Sequence, residues 1–413
     1  MDTTTVLCGL LALAAALPAL DATLRLRRLT RGRGAPERGV CPARLLVLVP
    51  ARAEGARVGD IASDVQREAR AAGEGTTVDL RVLLDGPDPE AAARLERDGV
   101  LYLSKKFPGP AKGHALAFLA EHMGFELDAF DFVLVFDADM RLPEGFFRDL
   151  AVPVGTEVFQ LPVRPAGIPA PGAPRVEALS LAQAAEDDLA RDAEGLPVRL
   201  RGKAMGFSPR AFRVGPAAST RTTVEDSEAT LALLARGVTV SALNGPFAFD
   251  EPSAEAGAMA RSRSRWFGGQ LKLLATGFGD LAKGFARKPF GTFVLAADLW
   301  LRPRVLMLLA LVLLAIGADI AMVVFSSSGA WGAAASARPA ALLLFLLLLS
   351  LEAKMTLVFE WLSLAALRRR IGYPEEVPSV SLSDVGASLR MWIGAVFGGA
   401  TAPSRWHRAR PPA

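Results

Sequence analysis

Two apolar runs constrain this chain more than any other feature, because each is long enough to cross a bilayer. Val305–Phe325 follows Arg302 and Arg304, and Ala340–Leu367 precedes Arg368, Arg369 and Arg370. About 20 apolar residues suffice for one span, so residues 304–367 are expected to form two transmembrane helices with their arginines on one side. The segment between them, Ser326–Ala337, carries no charge. The positive-inside rule therefore places that segment outside and residues 25–304 in the cytoplasm. A shorter apolar stretch, Val6–Leu20, precedes Arg25, Arg27, Arg28, Arg31 and Arg33. That charge order is the reverse of a cleavable signal peptide, so residues 1–24 read as a retained anchor, with a cleaved signal as the alternative. Glu352, Lys354 and Glu360 interrupt the last run. They either line a lipid or glycan path, or mark the end of the span near Leu351 and the start of an interfacial helix.

Composition agrees with a chain that sits partly in lipid. The chain has 413 residues, 51% of them hydrophobic, and a mean hydropathy of +0.29. Its net charge of +4 is modest, and the arginines cluster beside apolar runs rather than on a basic face, which argues against nucleic acid as a partner. Two cysteines and three histidines are too few and too scattered for a disulfide framework or a thiolate or histidine metal site.

Between residues 42 and 250 short apolar runs alternate with helical periodicity. Leu45–Val49, Val78–Leu84, Val100–Leu103, Phe132–Phe136 and Val158–Val163 are strand-like; Gly59–Ala72, Lys112–Met123 and Arg175–Arg191 are helix-like. This alternation predicts an α/β domain whose parallel strands are covered on both faces, with ligands at the strands' carboxyl ends. Pro165–Pro174 reads as a loop between two halves of that domain. Residues 251–303 are expected to form interfacial helices. Residues 368–413 are expected to hold another, Gly386–Gly399 with Arg390 and Trp392, followed by a tail.

Several residues at those strand ends can carry chemistry. Asp137 and Asp139 follow the run Phe132–Phe136, and alternate carboxylates at a strand end can converge on a Mg2+ or Mn2+ that bridges diphosphate oxygens. Glu225 and Asp226 precede the apolar-periodic segment Ser227–Arg236, where a carboxylate serves either as a helix cap or as a general base held ionised by the helix start. Lys112, Gly113 and His114 open a helix after Phe107-Pro108-Gly109-Pro110, a place for a lysine to meet phosphate. Arg261, Arg263, Arg265 and Trp266 lie in the amphipathic stretch Ser253–Thr276; they suit either a departing diphosphate and a sugar or an anionic lipid surface.

In this order, the motifs resemble the family 2 glycosyltransferases, the membrane-embedded group of cellulose, chitin and hyaluronan synthases and ceramide glucosyltransferase. Pro50-Ala51-Arg52-Ala53-Glu54 is similar to the family's Pro-Ala-Arg-Asn-Glu turn, and Asp85 to its uridine-contacting aspartate. Lys112-Gly113-His114-Ala115-Leu116 is similar to its Gly-Lys-x-x-Ala-Leu helix start, and Asp137 with Asp139 to its Asp-x-Asp. Val224-Glu225-Asp226 resembles the Thr-Glu-Asp whose aspartate is the base, with Val224 replacing threonine. Gly202–Phe207 resembles its acceptor loop.

The resemblance implies a GT-A-like fold flanked by transmembrane and interfacial helices. It also implies inverting transfer of a hexose or N-acetylhexosamine from a nucleotide sugar, UDP-linked, to a membrane-associated lipid or growing glycan. Asp226 would be the base, Asp139 and Asp137 the metal ligands for Mg2+ or Mn2+, and Pro50, Ala51, Glu54, Asp85, Lys112, Glu225, Arg263, Arg265 and Trp266 substrate contacts. One departure matters: Ser262 stands where the Gln-x-x-Arg-Trp of polymer-forming members has glutamine. A single-transfer enzyme, a processive synthase and a non-catalytic nucleotide-binding scaffold subunit all remain open.

Overall fold

The computed structural model describes residues 16, 18–30, 39–107, 112–167, 169–251, 256–300, 304–327, 337–370 and 379–399. Residues 1–15 of the first anchor, 108–110 of the loop before Lys112, 328–336 between the two long apolar runs and the tail from 400 onward lie outside the described residues. The chain divides into two compact units, 33–295 with 373–413, and 1–32 with 296–372.

Helix α1 covers 18–30. The larger unit then runs in chain order through β1 (Gly39–Val40), β2 (Arg44–Ala51), α2 (Val58–Ala71), β3 (Thr77–Asp85), α3 (Pro89–Arg97), β4 (Tyr102–Lys105), α4 (Lys112–Met123), β5 (Phe132–Val135) and β6 (Met140–Arg141). It continues with β7 (Val152–Pro153), β8 (Val158–Gln160), β9 (Val163–Pro165), α5 (Ala173–Asp192), β10 (Met205–Phe207), α6 (Pro209–Val214), α7 (Glu225–Ala235), β11 (Ser241–Ala242) and β12 (Ala248–Asp250). Helices α8 (Ala256–Thr276), α9 (Phe278–Arg287), α10 (Pro289–Trp300), α11 (Arg304–Ser327), α12 (Ala337–Arg370) and α13 (Leu382–Gly399) follow.

A seven-stranded sheet in the order β11-β8-β10-β5-β2-β3-β4 forms the centre. β5, β2, β3 and β4 are mutually parallel, whereas β10 runs antiparallel to both β5 and β8. The continuous apolar run of β2 explains its central place, since both of its faces are covered. Leu45, Val47 and Val49 join one core with Ile61 and Val65 of α2 and Leu95 of α3. Leu46 and Leu48 join the other with Leu116 and Leu119 of α4, Phe212 of α6 and Leu233 of α7.

The run expected as one strand, 158–163, is two. β8 belongs to the large sheet and β9 to a three-stranded sheet ordered β6-β12-β9. Pro162, which has no N–H to give a ladder, marks the switch, and its carbonyl accepts from Ala248 N–H at 3.1 Å.

In the smaller unit, α11 and α12 pack around Leu311, Ala315 and Ala353. Among the described residues one helical segment, Leu306–Val324, is long and apolar enough to cross a membrane. Leu313, Ile316, Ile320, Val323 and Val324 on it are each at least half exposed. Two of the charges that interrupt α12 are paired: Lys354 donates to Asp319 at 2.8 Å, and Glu360 accepts from Arg25 of α1 at 2.6 Å. Pairing is what makes such charges tolerable at apolar depth.

Candidate active site

The carboxyl ends of β3, β2 and β5 lie side by side, so the turns that leave them form one rim. β2 ends in Pro50 and Ala51, both buried. Beyond them Ala53 and Gly55 take positive φ (53° and 59°), which folds the turn back sharply. Gly55 N–H donates to Asp88 at 3.0 Å, and the other oxygen of Asp88 caps α3 through Ala91 N–H at 3.1 Å. Glu54 precedes the 3-10 turn Gly55–Arg57. Asp85, the last residue of β3, pairs with Arg52 at 3.2 Å and accepts from Phe107 N–H at 3.1 Å. Asp85 is thereby aimed by the neighbouring strand's turn.

Lys112, the first residue of α4, is buried, and its ammonium donates to Asp137 Oδ1 at 2.6 Å and to the carbonyl of Gly202. Gly113 is required beside it, because a Cβ there would lie 1.9 Å from the Ser219 carbonyl oxygen. Burial alone would lower Lys112, but Asp137, Glu225 and Asp226 outweigh it and hold the ammonium above its ordinary value. Lys203 repeats the arrangement on Asp250, which it meets at 2.5 Å. Asp250, Asp139 and Asp137 together raise it against its own burial.

The loop between α5 and β10 is built to carry these groups. Gly202 and Ala204 take positive φ (80° and 52°). Buried Gln160 donates to the Lys203 carbonyl at 2.9 Å and accepts from Arg201 N–H at 2.9 Å, and Arg201 itself grips Asp188 of α5 with two contacts of 2.5 Å.

Opposite Gly202 stands the start of α7. Val224 offers no side-chain cap; Glu228 instead folds back to accept from Thr222 N–H and Oγ1, both at 3.0 Å, and from Arg221 Nε at 2.8 Å. Asp226 is buried, with Oδ1 accepting from Ser227 N–H at 2.7 Å and Oδ2 lying 3.7 Å from Arg199 Nη2. A Cβ on Gly202 would sit 3.6 Å from the same oxygen, so the loop and Asp226 are neighbours. Burial pushes the Glu225 carboxyl up to about 7; Lys112 opposes this, while Asp226 and Asp137 add to it. Burial likewise pushes Asp250 up to about 6, against Lys203 and with Asp139 and Asp137.

Asp137, Asp139, Glu225, Asp226 and Asp250 thus share their surroundings with Lys112, Lys203 and Arg199. Five carboxyl groups against three cations make the cluster rich in acidic oxygens, and burial pushes two of them, Glu225 and Asp250, towards the protonated form. Among the described residues no three acidic, histidine or cysteine side chains converge on a single metal position. A cation between Asp137 and Asp139 would therefore draw further oxygens from another source, as from a diphosphate.

The Arg-Trp pair lies on α8. Thr223 donates to the Arg265 carbonyl at 3.1 Å, and Gln270 donates to Ser227 at 3.2 Å, fixing α8 to the start of α7. Arg263 pairs with Glu177 of α5. Trp266 has Arg199 over its ring at 5.3 Å, Arg263 at 6.0 Å and Trp392 of α13 at 6.2 Å.

Lys112, Asp137, Gly202, Glu225 and Asp226 thus form one cluster, with Asp139 beside it and Asp85 along the same rim. Trp266 reaches the cluster through Arg199, and Arg263 faces α5. Sequence reasoning missed Arg199, Lys203 and Asp250. Lys203 falls inside the stretch assigned to the acceptor loop, but nothing periodic marks the other two.

A mixed α/β sheet with its polar rim at the strand ends and a second small sheet beside it defines the GT-A-like class of fold. A mannosyltransferase from Pyrobaculum calidifontis, solved in complex with GDP-Man and Mn2+, shares it with a TM-score of 0.51 at 15% identity, over 89% of this chain and 98% of that one. Glucosyl-3-phosphoglycerate synthase from Mycobacterium tuberculosis, solved with Mn2+, UDP and glucosyl-3-phosphoglycerate, aligns with a TM-score of 0.37 at 19% identity, over 57% of this chain and 79% of that one. No family model and no curated protein matches the chain in sequence.

Proposed function

We propose that this chain is an inverting glycosyltransferase that moves a hexose or N-acetylhexosamine from a nucleotide sugar to a membrane-associated acceptor, a lipid or a growing glycan. The observation that carries the reading is the convergence of Lys112, Asp137, Gly202, Glu225 and Asp226 in one carboxylate-rich cluster at the strand ends. The fold shared with a mannosyltransferase that holds GDP-Man and Mn2+ supports it.

In this mechanism Asp85 and the turn Pro50, Ala51 and Glu54 receive the nucleoside. Asp137 and Asp139 would hold Mg2+ or Mn2+, which would supply positive charge to the diphosphate. Lys112 keeps Asp137 oriented and adds a second positive charge beside it. Asp226 takes the proton of the acceptor hydroxyl, whose oxygen bonds to the anomeric carbon on the face opposite the diphosphate. The bond from that carbon to the diphosphate breaks, its electron pair leaves with the nucleoside diphosphate, and the anomeric configuration inverts. Arg265 would balance the charge of the departing diphosphate, whereas Arg263 is taken up by Glu177 of α5. The exposed apolar face of Leu306–Val324 supports anchoring in a membrane. Exposed Leu271, Leu274, Phe278 and Phe290, interspersed with Lys272, Lys283, Arg287 and Lys288, support residues 251–303 as interfacial helices with the catalytic domain on the cytoplasmic side.

The test is transfer itself. Protein purified in detergent is given Mn2+ and a panel of UDP- and GDP-linked sugars, and nucleoside diphosphate release is followed with and without membrane lipid. Release with one donor, stimulated by lipid and abolished by chelation, is expected. Absence of release from every donor would overturn the reading.

A further inference from the structure

Arg199 is 2% exposed, yet its Nε and Nη1 have no hydrogen-bond partner. A buried guanidinium is ordinarily held by its donors; this one is held by the face of Trp266 at 5.3 Å and by Asp226 Oδ2 at 3.7 Å. Trp392, which is 7% exposed, packs against Trp266 in turn, with ring centroids 6.2 Å apart and planes tilted at 57°. Arg263 lies over both indoles, 6.0 Å from one and 5.6 Å from the other. Trp392 sits on α13, which is pinned independently: Asp384 accepts from Gly172 N–H at 2.5 Å and from Ser381 N–H at 2.9 Å.

From this geometry we infer that Trp392 and Arg199 are positioning residues for Asp226, and that the C-terminal helix α13 sets the base through the stack Trp392, Trp266, Arg199. Trp266 in this arrangement braces a cation against the base instead of offering a free face to a sugar. The inference rests on Asp226 being the base.

The charged groups that face Asp226 are Arg199 from the α5–β10 loop, Lys112 from α4 and Glu225 beside it on α7. Lys112 is fixed by Asp137 and Gly202, so Arg199 is the cation whose distance the stack controls. Drawing Arg199 away removes the charge that favours the ionised base, and the acidic limb of the kcat–pH profile then moves to higher pH.

The experiment measures that profile, together with the affinity for nucleoside diphosphate, for full-length Arg199→Gln, Arg199→Lys, Trp392→Ala, Trp392→Phe and Asp226→Asn. Arg199→Gln should move the acidic limb to higher pH, and Arg199→Lys should restore most of it. Trp392→Ala should shift it the same way by a smaller amount, with Trp392→Phe near wild type and nucleoside diphosphate affinity unchanged in all four. If Asp226→Asn is inactive while Arg199→Gln and Trp392→Ala keep the wild-type acidic limb, the positioning role fails and the function stands. Should the Trp392 variants instead lose nucleoside diphosphate affinity and melting temperature together, the residue is only structural and the role again fails. Wild-type turnover by Asp226→Asn would remove the base, and this inference with it.

Discussion

The two sides of the carboxylate cluster are held by different physics. On the proposed diphosphate side, lysine ammoniums meet carboxylates directly: Lys112 to Asp137 at 2.6 Å and Lys203 to Asp250 at 2.5 Å, each anchored to a strand end or loop. On the proposed base side, Asp226 has Arg199 at 3.7 Å, and that cation is steadied by an indole, with its Nε and Nη1 making no hydrogen bond. Direct charge-assisted bonds fix a group tightly, which would suit a diphosphate met the same way in every turnover. A cation placed against an indole can be adjusted by the packing of α8 and α13, which would suit the proposed base.

Three measurements sharpen or break this contrast. The largest effect is expected for Asp139→Asn, which should cut transfer by at least about 10²-fold, since a bound metal is worth several kcal/mol of transition-state charge stabilisation. Metal titration of the variant checks it; an unchanged Mn2+ dependence would remove Asp139 from the diphosphate side. Next is Gly113→Ala. Its Cβ would meet the Ser219 carbonyl at 1.9 Å, a backbone atom that cannot yield cheaply, so a destabilisation of about 1–3 kcal/mol is expected. Displacement of Lys112 should weaken nucleoside diphosphate binding, which the Trp392 variants leave unchanged.

The smallest effect is on stability against pH. The folded carboxyl of Glu225 is raised from 4.5 to about 7, so its native state holds a proton that the unfolded chain gives up earlier. The stabilisation is complete below pH 4.5 and is lost as pH rises through 7. The melting temperature should fall across that window by on the order of a few degrees. Mn2+ with nucleoside diphosphate should flatten the fall, and a melting temperature rising over the window would contradict the burial assigned to Glu225.

The fold was legible wherever an element's own pattern decides it. Helix Lys112–Met123 has the bounds its apolar spacing predicts, and β2 reads as central because it is apolar on both faces. The position of Asp137 and Asp139 just past the end of β5 was legible, because the apolar run before them reads as a strand. Arg199 and Asp250 were not, since each gains its meaning from a chain crossing: Arg199 from α8 arriving with Trp266, and Asp250 from β12 pairing in a second sheet. The break of 158–163 into two strands was signalled by Pro162, yet the apolar character of the run masked it. Trp392 lies in a helix expected at the membrane interface, and its packing against α8 depends on long-range contacts that no local period encodes.

The central claim is that Asp226 is the group that takes the acceptor's proton, and one substitution tests it most directly. Asp226→Asn keeps the shape and the Ser227 contact but removes the basicity. The account predicts a loss of turnover of about 10²–10⁴-fold, the usual worth of a positioned general base, with nucleotide-sugar affinity and metal dependence unchanged. Transfer by Asp226→Asn at the wild-type rate would contradict it.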